Sequence, residues 1–305
     1  MAKMRKIWAS LALLSVCIIS GCNNSNAASS TTESTVQSAA ITDEIDDTEQ
    51  RIIPLSVALV EIFGELGIEM AGVPDSQYEL HPAADGIPTV GLSMNPDIEK
   101  ILELDPTDVV ALTTLRSMIE AELGAGGIEP LYVNLENIDE FRTTVKTVGE
   151  HFDKVDEAAE LLADFNGKID AVIEDVKQHD PASVLILFGF PGNYMVATDL
   201  SFVGQLCDLL GAENVAGDQG MVYLMMNLEE LMVRDPDVIF RLSHGIPDIV
   251  HEMFETEFST NPLWAEFSAV QNGHVYDLDD SIYGVSATLN TPNALRDLAD
   301  LIYQQ

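Results

Sequence analysis

From Arg51 onward, short unbroken apolar runs alternate with longer stretches in which apolar positions recur three and four apart. The first pattern predicts buried strands and the second amphipathic helices. Strands are expected at 52–55, 184–188, 238–240 and 275–278, and a further one over 68–73, stopped by Pro74. Ser56 is placed to cap a helix over 57–67 that ends at Gly67. Asn95-Pro96 reads as a helix start, cap then proline. Residues 137–179 are mostly helical in pattern. Their last section is long and amphipathic, with Val155, Ala158, Leu162, Phe165, Ile169, Val172 and Val176 on its apolar side. Helices are also expected leading to Gly211, over 247–258, from Asn261-Pro262 and over 291–303. The sum is an α/β chain. It predicts two Rossmann-like lobes, 51–153 and 181–305, joined by a single long helix over 154–180 that acts as a strut.

One stretch is written twice. Asn227 caps a helix with Glu230 at capping-box spacing, Asp235-Pro236 ends it, and the strand 238–240 follows. Earlier, Glu99 precedes Asp105-Pro106 and a strand beginning near Val109. In both copies a glutamate, Glu99 or Glu229, lies seven residues before the proline. Such a repeat fits paired lobes, although Asp-Pro before Asp-Val is also a common helix-to-strand junction. In an open α/β sheet the loops beyond the carboxyl ends of strands line the ligand crevice. His244, after the strand 238–240, stands in that position, as do the loops holding Gln77-Tyr78, Tyr194 and Tyr283. The first amides of the helix after Ser56, with Val57 and Ala58, suit a carboxylate because a helix N-terminus is partly positive. Ser56 also serves simply as a cap. Met94 sits in a turn, where a methionine is ordinarily a core plug.

The N-terminus changes the picture from a folded domain to an exported one. Lys3, Arg5 and Lys6 precede an apolar run that ends Ile19-Ser20-Gly21-Cys22. The run is short for a membrane span and reads as a signal peptide over 1–21. Its end resembles a bacterial lipobox, in which Cys22 carries the lipid anchor. Residues 22–50 are Ser/Thr-rich and then acidic, a disordered tether. Of three cysteines, Cys17 leaves with the leader and Cys22 takes lipid. Cys207 alone remains, in a helix core setting that suits an inert buried thiol. Net charge is −37. Loss of the leader removes three basic and no acidic residues, leaving −40. Such a chain is unsuited to nucleic acid or an anionic membrane face, so contact with the membrane is expected only through the lipid. It points to a saline or alkaline habitat. His81, His151, His179, His251 and His274 have no partner at zinc-motif spacing, and no hydrolase nucleophile elbow is present.

Taken together, several segments resemble the substrate-binding lipoproteins of ABC importers for iron complexes and corrinoids. Within that group the similarity is to the haem receptor lipoproteins of the iron-regulated surface determinant system of Gram-positive bacteria. It is carried by Arg51-Ile52-Ile53, Ser56-Val57-Ala58, Glu61-Ile62, Gly72-Val73-Pro74, Val90-Gly91-x-x-Met94-x-Pro96-Asp97 and Thr113-Thr114-Leu115. In the second half it continues through Pro191-Gly192-x-Tyr194, Ser243-His244-Gly245-x-Pro247 and Val275-Tyr276-Asp277-Leu278. The resemblance implies a class III binding protein, with no enzymatic activity, that takes haem b as cargo. Met94 and His244 would be its axial iron ligands, the propionates would meet Ser56, Val57 and Ala58, and Gln77, Tyr78, Thr113, Tyr194 and Tyr283 would line the pocket. Glu99 and Glu229 would dock an ABC permease with its ATPase, although first-turn glutamates also simply suit a helix dipole. A monomer on the outer face of the cell membrane, supplied by cell-wall haem-relay proteins, completes what it implies. A ferric siderophore or corrinoid as cargo, and a secreted hydrolase, are the other readings. The chain departs from the family in its acidic surface.

Overall fold

The computed structural model describes residues 50–77 and 79–303. The signal peptide, Cys22, the tether up to residue 49, and Tyr78 lie outside the described residues. The first half runs β1 (Ile52–Pro54), α1 (Val57–Glu65), β2 (Val73–Asp75), β3 (Thr89–Leu92), β4 (Asn95–Pro96), α2 (Ile98–Glu103), β5 (Asp108–Leu112), α3 (Arg116–Ala125), β6 (Leu131–Val133) and α4 (Ile138–His151). Strands β1, β5 and β6 lie parallel in the order β1-β5-β6, with Ile53 opposite Val109 and Val110 opposite Leu131. The Ala71 amide donates to the Ile52 carbonyl at 2.8 Å, which brings the segment before β2 alongside β1. A small sheet, β2-β3-β4, stands beside this one. The branched residues of β1 and β5 are buried on both faces, as parallel strands between helix layers require.

Helix α5 (Val155–Val176) follows, 22 residues long and so about 33 Å at 1.5 Å per residue. Its buried positions Ala158, Leu162, Phe165, Ile169, Val172 and Val176 recur at helical spacing. They pack it against α4 and against the final helix, with Phe165 stacked on Phe141 at 4.7 Å between centroids.

The second half comprises β7 (Ser183–Phe190), β8 (Asn193–Ala197), α6 (Phe202–Leu209), β9 (Glu213–Asn214), β10 (Tyr223–Leu224), α7 (Leu228–Arg234), β11 (Val238–Ser243), α8 (Pro247–Thr260), α9 (Ser268–Asn272), β12 (Val275–Leu278) and α10 (Thr291–Tyr303). Its sheet has the order β10-β8-β7-β11-β12, with β9 paired to the start of β7. Strands β7, β11 and β12 are parallel, β8 is antiparallel to β7, and β10 is antiparallel to β8. The fold is therefore α/β in both halves, each with a parallel sheet, and α5 links them along the chain.

Three local expectations are corrected. The strand over 68–73 begins only at Val73 and runs through Pro74, because β2 pairs in its sheet with β3 alone and its proline is not required to donate to a ladder. The helical stretch from 137 breaks at Phe152–Lys154, where Asp153 adopts a left-handed φ of 57°. Helix α2 does not start at Asn95-Pro96, which form β4. Its cap is Asp97, whose carboxylate accepts the Lys100 amide at 3.2 Å.

Candidate functional site

The repeat seen in the sequence is a repeated structure. Asp105 and Asp235 both adopt left-handed conformations, φ 46° and 39°, directly before their prolines. Each is tied down by its carboxylate. Arg51 donates to Asp105 at 2.9 Å, and Ser268 donates to Asp235 through its amide at 2.8 Å and its hydroxyl at 2.7 Å. An Asp in this region costs less than most residues because its short polar side chain bonds locally. The two junctions turn α2 into β5 and α7 into β11. Glu99 and Glu229 are exposed second residues of their helices. Asn227 caps α7 by accepting the Glu229 amide at 2.9 Å, but Glu230 does not complete a capping box. It pairs with Arg234 instead.

His244 follows β11 directly. Its amide donates to the Gly189 carbonyl at 2.9 Å, extending the β7–β11 ladder by one bond, so its backbone is fixed while the residue is exposed. Its imidazole lies 5.2 Å from the Phe188 ring, and Phe188 stacks on Tyr223 at 4.2 Å. The segment around Tyr223 leaves Met221 56%, Val222 43% and Met225 66% exposed. This aromatic and methionine surface beside His244 was missed in the sequence. The signal was there: an apolar run from Met221 to Met226, just after Gly217 and Gly220 and not at a core periodicity.

Met94 occupies the two-residue turn between β3 and β4 and is 65% exposed. It is therefore no core plug. The hairpin is held by the Asp97 amide, which donates to the Val90 carbonyl at 2.7 Å. Gly91 has φ 88°, and a β-carbon there would fall 2.7 Å from the Asp97 nitrogen, so this turn demands glycine. A thioether and an imidazole, both in exposed residues, are donor types that suit a soft or borderline metal centre.

Ser56 caps α1, its buried hydroxyl accepting the Leu59 amide at 3.3 Å. Val57 and Ala58, in the first turn, border a cleft of about 720 Å³. Ile282, Val285 and Leu289 close it from the loop after β12, and Glu61, Glu65, Glu79, His81 and Asp280 supply the polar wall. Burial pushes the Glu61 carboxyl above its usual range, with the His81 charge opposing. Neither Met94 nor His244 borders this cleft.

The remaining expected lining residues divide. Gln77 is exposed after β2, and the Thr113 hydroxyl donates to the Val133 carbonyl at 3.0 Å, joining the ends of β5 and β6. The two tyrosines take different places. Tyr283 is buried at 5% exposure and donates to the Ala294 carbonyl at 3.1 Å; its neighbours Ile282 and Gly284 face the cleft instead. Tyr194 packs against Phe254 and Trp264, and its hydroxyl donates to Glu257 at 3.3 Å. Burial and then the Glu257 charge push that hydroxyl up to about 12. The histidine reading needs one amendment. His251 and Glu255, one turn apart on α8, meet Asp277 of β12 with donor atoms within 4.8 Å of one another. Buried Arg241 already pairs with both carboxylates, at 2.7 Å from Glu255 and 2.5 Å from Asp277.

The chain is 32% identical over 294 residues to the high-affinity heme uptake system protein IsdE of Staphylococcus aureus, covering 96% of each. An ABC transporter substrate-binding protein from Listeria monocytogenes superposes with a TM-score of 0.78 at 36% identity, covering 84% of this chain and all of that one. IsdE of S. aureus complexed with heme gives 0.76 at 32% identity, over 84% and 99% of the two chains. Matched by that family's pattern over residues 52–282, the chain belongs to the periplasmic binding protein family.

Proposed function

We propose that this protein is a haem receptor, lipid-anchored through Cys22 on the outer face of the cell membrane, that hands haem to an ABC permease. It is a binding protein and not an enzyme. Two lobes, 51–153 and 181–305, held by the helix within 154–180, present one axial ligand each: Met94 from the first and His244 from the second. The observation that carries the reading is the exposed pair of soft and borderline donors, Met94 on a glycine-dependent hairpin and His244 on a fixed ladder end beside Phe188. A porphyrin is a large apolar plate, and Met221, Val222 and Met225 offer the kind of surface that covers one. First-turn amides at Val57 and Ala58, with the cap Ser56, support a propionate site, since these donors have no carbonyl one turn before them. Gln77 and Thr113 stand at loop positions beyond their strands, where they would border the ligand. Glu99 and Glu229, matched in the repeated junction, would meet cationic side chains of the permease. The name and haem complex of the staphylococcal relative support the same cargo.

Titration of the purified protein with haem tests the cargo. The expected outcome is saturation at a single equivalent with a shifted Soret band, undisturbed by a ferric siderophore or a corrinoid. Displacement by either competitor would contradict haem as the ligand.

A further inference from the structure

We infer that His81 is a ligand-binding residue whose Nε2–H donates to a carboxylate of the bound molecule. This deepens the haem reading and rests on it, the carboxylate being a propionate.

Among the described residues bordering the cleft His81 is the sole basic side chain, beside the acids Glu61, Glu65, Glu79 and Asp280 and the neutral Ser281, Ser286, Thr288 and Asn290. An anionic group entering there meets repulsion that, without His81, only the first turn of α1 and neutral donors would offset. The imidazole is held in place on two sides. Its Nδ1 accepts the Ala83 amide at 3.1 Å, which in the neutral ring leaves the proton on Nε2. Its other support is Gly64, the penultimate residue of α1. A β-carbon at Gly64 would fall 2.1 Å from His81 Nδ1 and 2.4 Å from Cε1, so the ring lies directly on the helix backbone. The close approach of the ring is a packing reason for glycine at this position. The Nε2 makes a loose ion-pair contact with Glu65 Oε1 at 3.6 Å, longer than a hydrogen bond, and the side chain keeps 25% of its surface open. A seated imidazole with its donor unspent, inside the cleft that Val57 and Ala58 enter, is placed to bind an anion and not only to cap a turn.

The test compares haem with its dimethyl ester, in which both propionates are blocked, on wild type and two variants. His81→Asn keeps an oxygen acceptor for the Ala83 amide, since Asn caps well, but removes the ring donor. Gly64→Ala displaces the ring from α1. The expected result is that each variant binds haem about tenfold more weakly, the size of one charge-assisted hydrogen bond. Each should bind the ester as wild type does. Equal weakening for both ligands, or no weakening for haem, would overturn the role of His81 and leave the haem reading standing. Wild type that takes up neither porphyrin would overturn both. Thermal melts of the variants separate misfolding from a lost contact, because a misfolded variant loses the ester as well.

Discussion

Cys207 and Arg241 mark the two ends of what a single residue discloses about itself. Cys207 was readable: its apolar neighbours at helical spacing put it in a core, and the structure buries it fully in α6. Burial pushes its thiol up to about 12, so almost no thiolate forms at neutral pH. A thiol-labelling reagent should leave the native protein unmodified and label it stoichiometrically in denaturant; fast native labelling would contradict the packing. Arg241 was not readable, because its partners lie 14 and 36 residues away on α8 and β12. Its side chain is 7% exposed, against 33% for Asp277 and 61% for Glu255. Removing the guanidinium leaves Asp277 partly buried with His251 beside it at 3.4 Å in place of the strong pair. Arg241→Ala should therefore cost about 2 kcal/mol, the buried-pair penalty discounted for solvent access. Glu255→Ala should cost less than about 1 kcal/mol. Urea unfolding of the two variants checks the order, and equal costs would contradict it. The tyrosines teach the same lesson in reverse. Tyr194 was expected in a loop and lies in β8, Tyr283 lies in the expected loop, and which way each ring turns depends on Trp264 and α10, far along the chain.

At the scale of elements, the repeated junction was the most legible feature, since capping, proline and β-branched signals all act within a dozen residues. Its left-handed aspartates were not foreseen, because the anchors Arg51 and Ser268 are non-local. Hydrogen bonds from the Ser268 hydroxyl and amide hold the Asp235 carboxyl below its usual range. A group lowered in the folded state contributes stability that is fully present above the ordinary carboxylate range and is lost as pH falls through the lowered value. Asp235→Asn tolerates the same backbone but cannot ionise. Its stability should fall less steeply than that of wild type as acid is added below about pH 4, and parallel acid-unfolding curves would sink the assignment. The misplaced start of α2 has a physical cause too. Asn-Pro suits a helix start by its fixed φ, but the Asp97 amide bond to Val90 closes a hairpin first. That closure is what leaves Met94 in an exposed turn.

For the whole molecule, charge dominates. A net −37 over 305 residues makes the folded state self-repelling, and salt shortens the repulsion from roughly 30 Å at 0.01 M to 3 Å at 1 M. The melting temperature should rise steadily across that series; a flat profile would contradict repulsion as the limit on stability. The overall architecture, two α/β halves with a long helix between them, was legible because period and proline punctuation are local. The apolar surface around Tyr223 was not, since it forms only when β10 pairs with β8 beside β7 and β11. The most direct measurement of the central claim is the absorption spectrum of the haem complex in wild type, Met94→Ala and His244→Ala. Thioether and imidazole ligation predicts a six-coordinate low-spin spectrum in wild type. Met94→Ala should weaken the complex and move the spectrum toward five-coordinate, and His244→Ala should disrupt it further. Three superimposable spectra with equal affinities would contradict iron ligation by Met94 and His244.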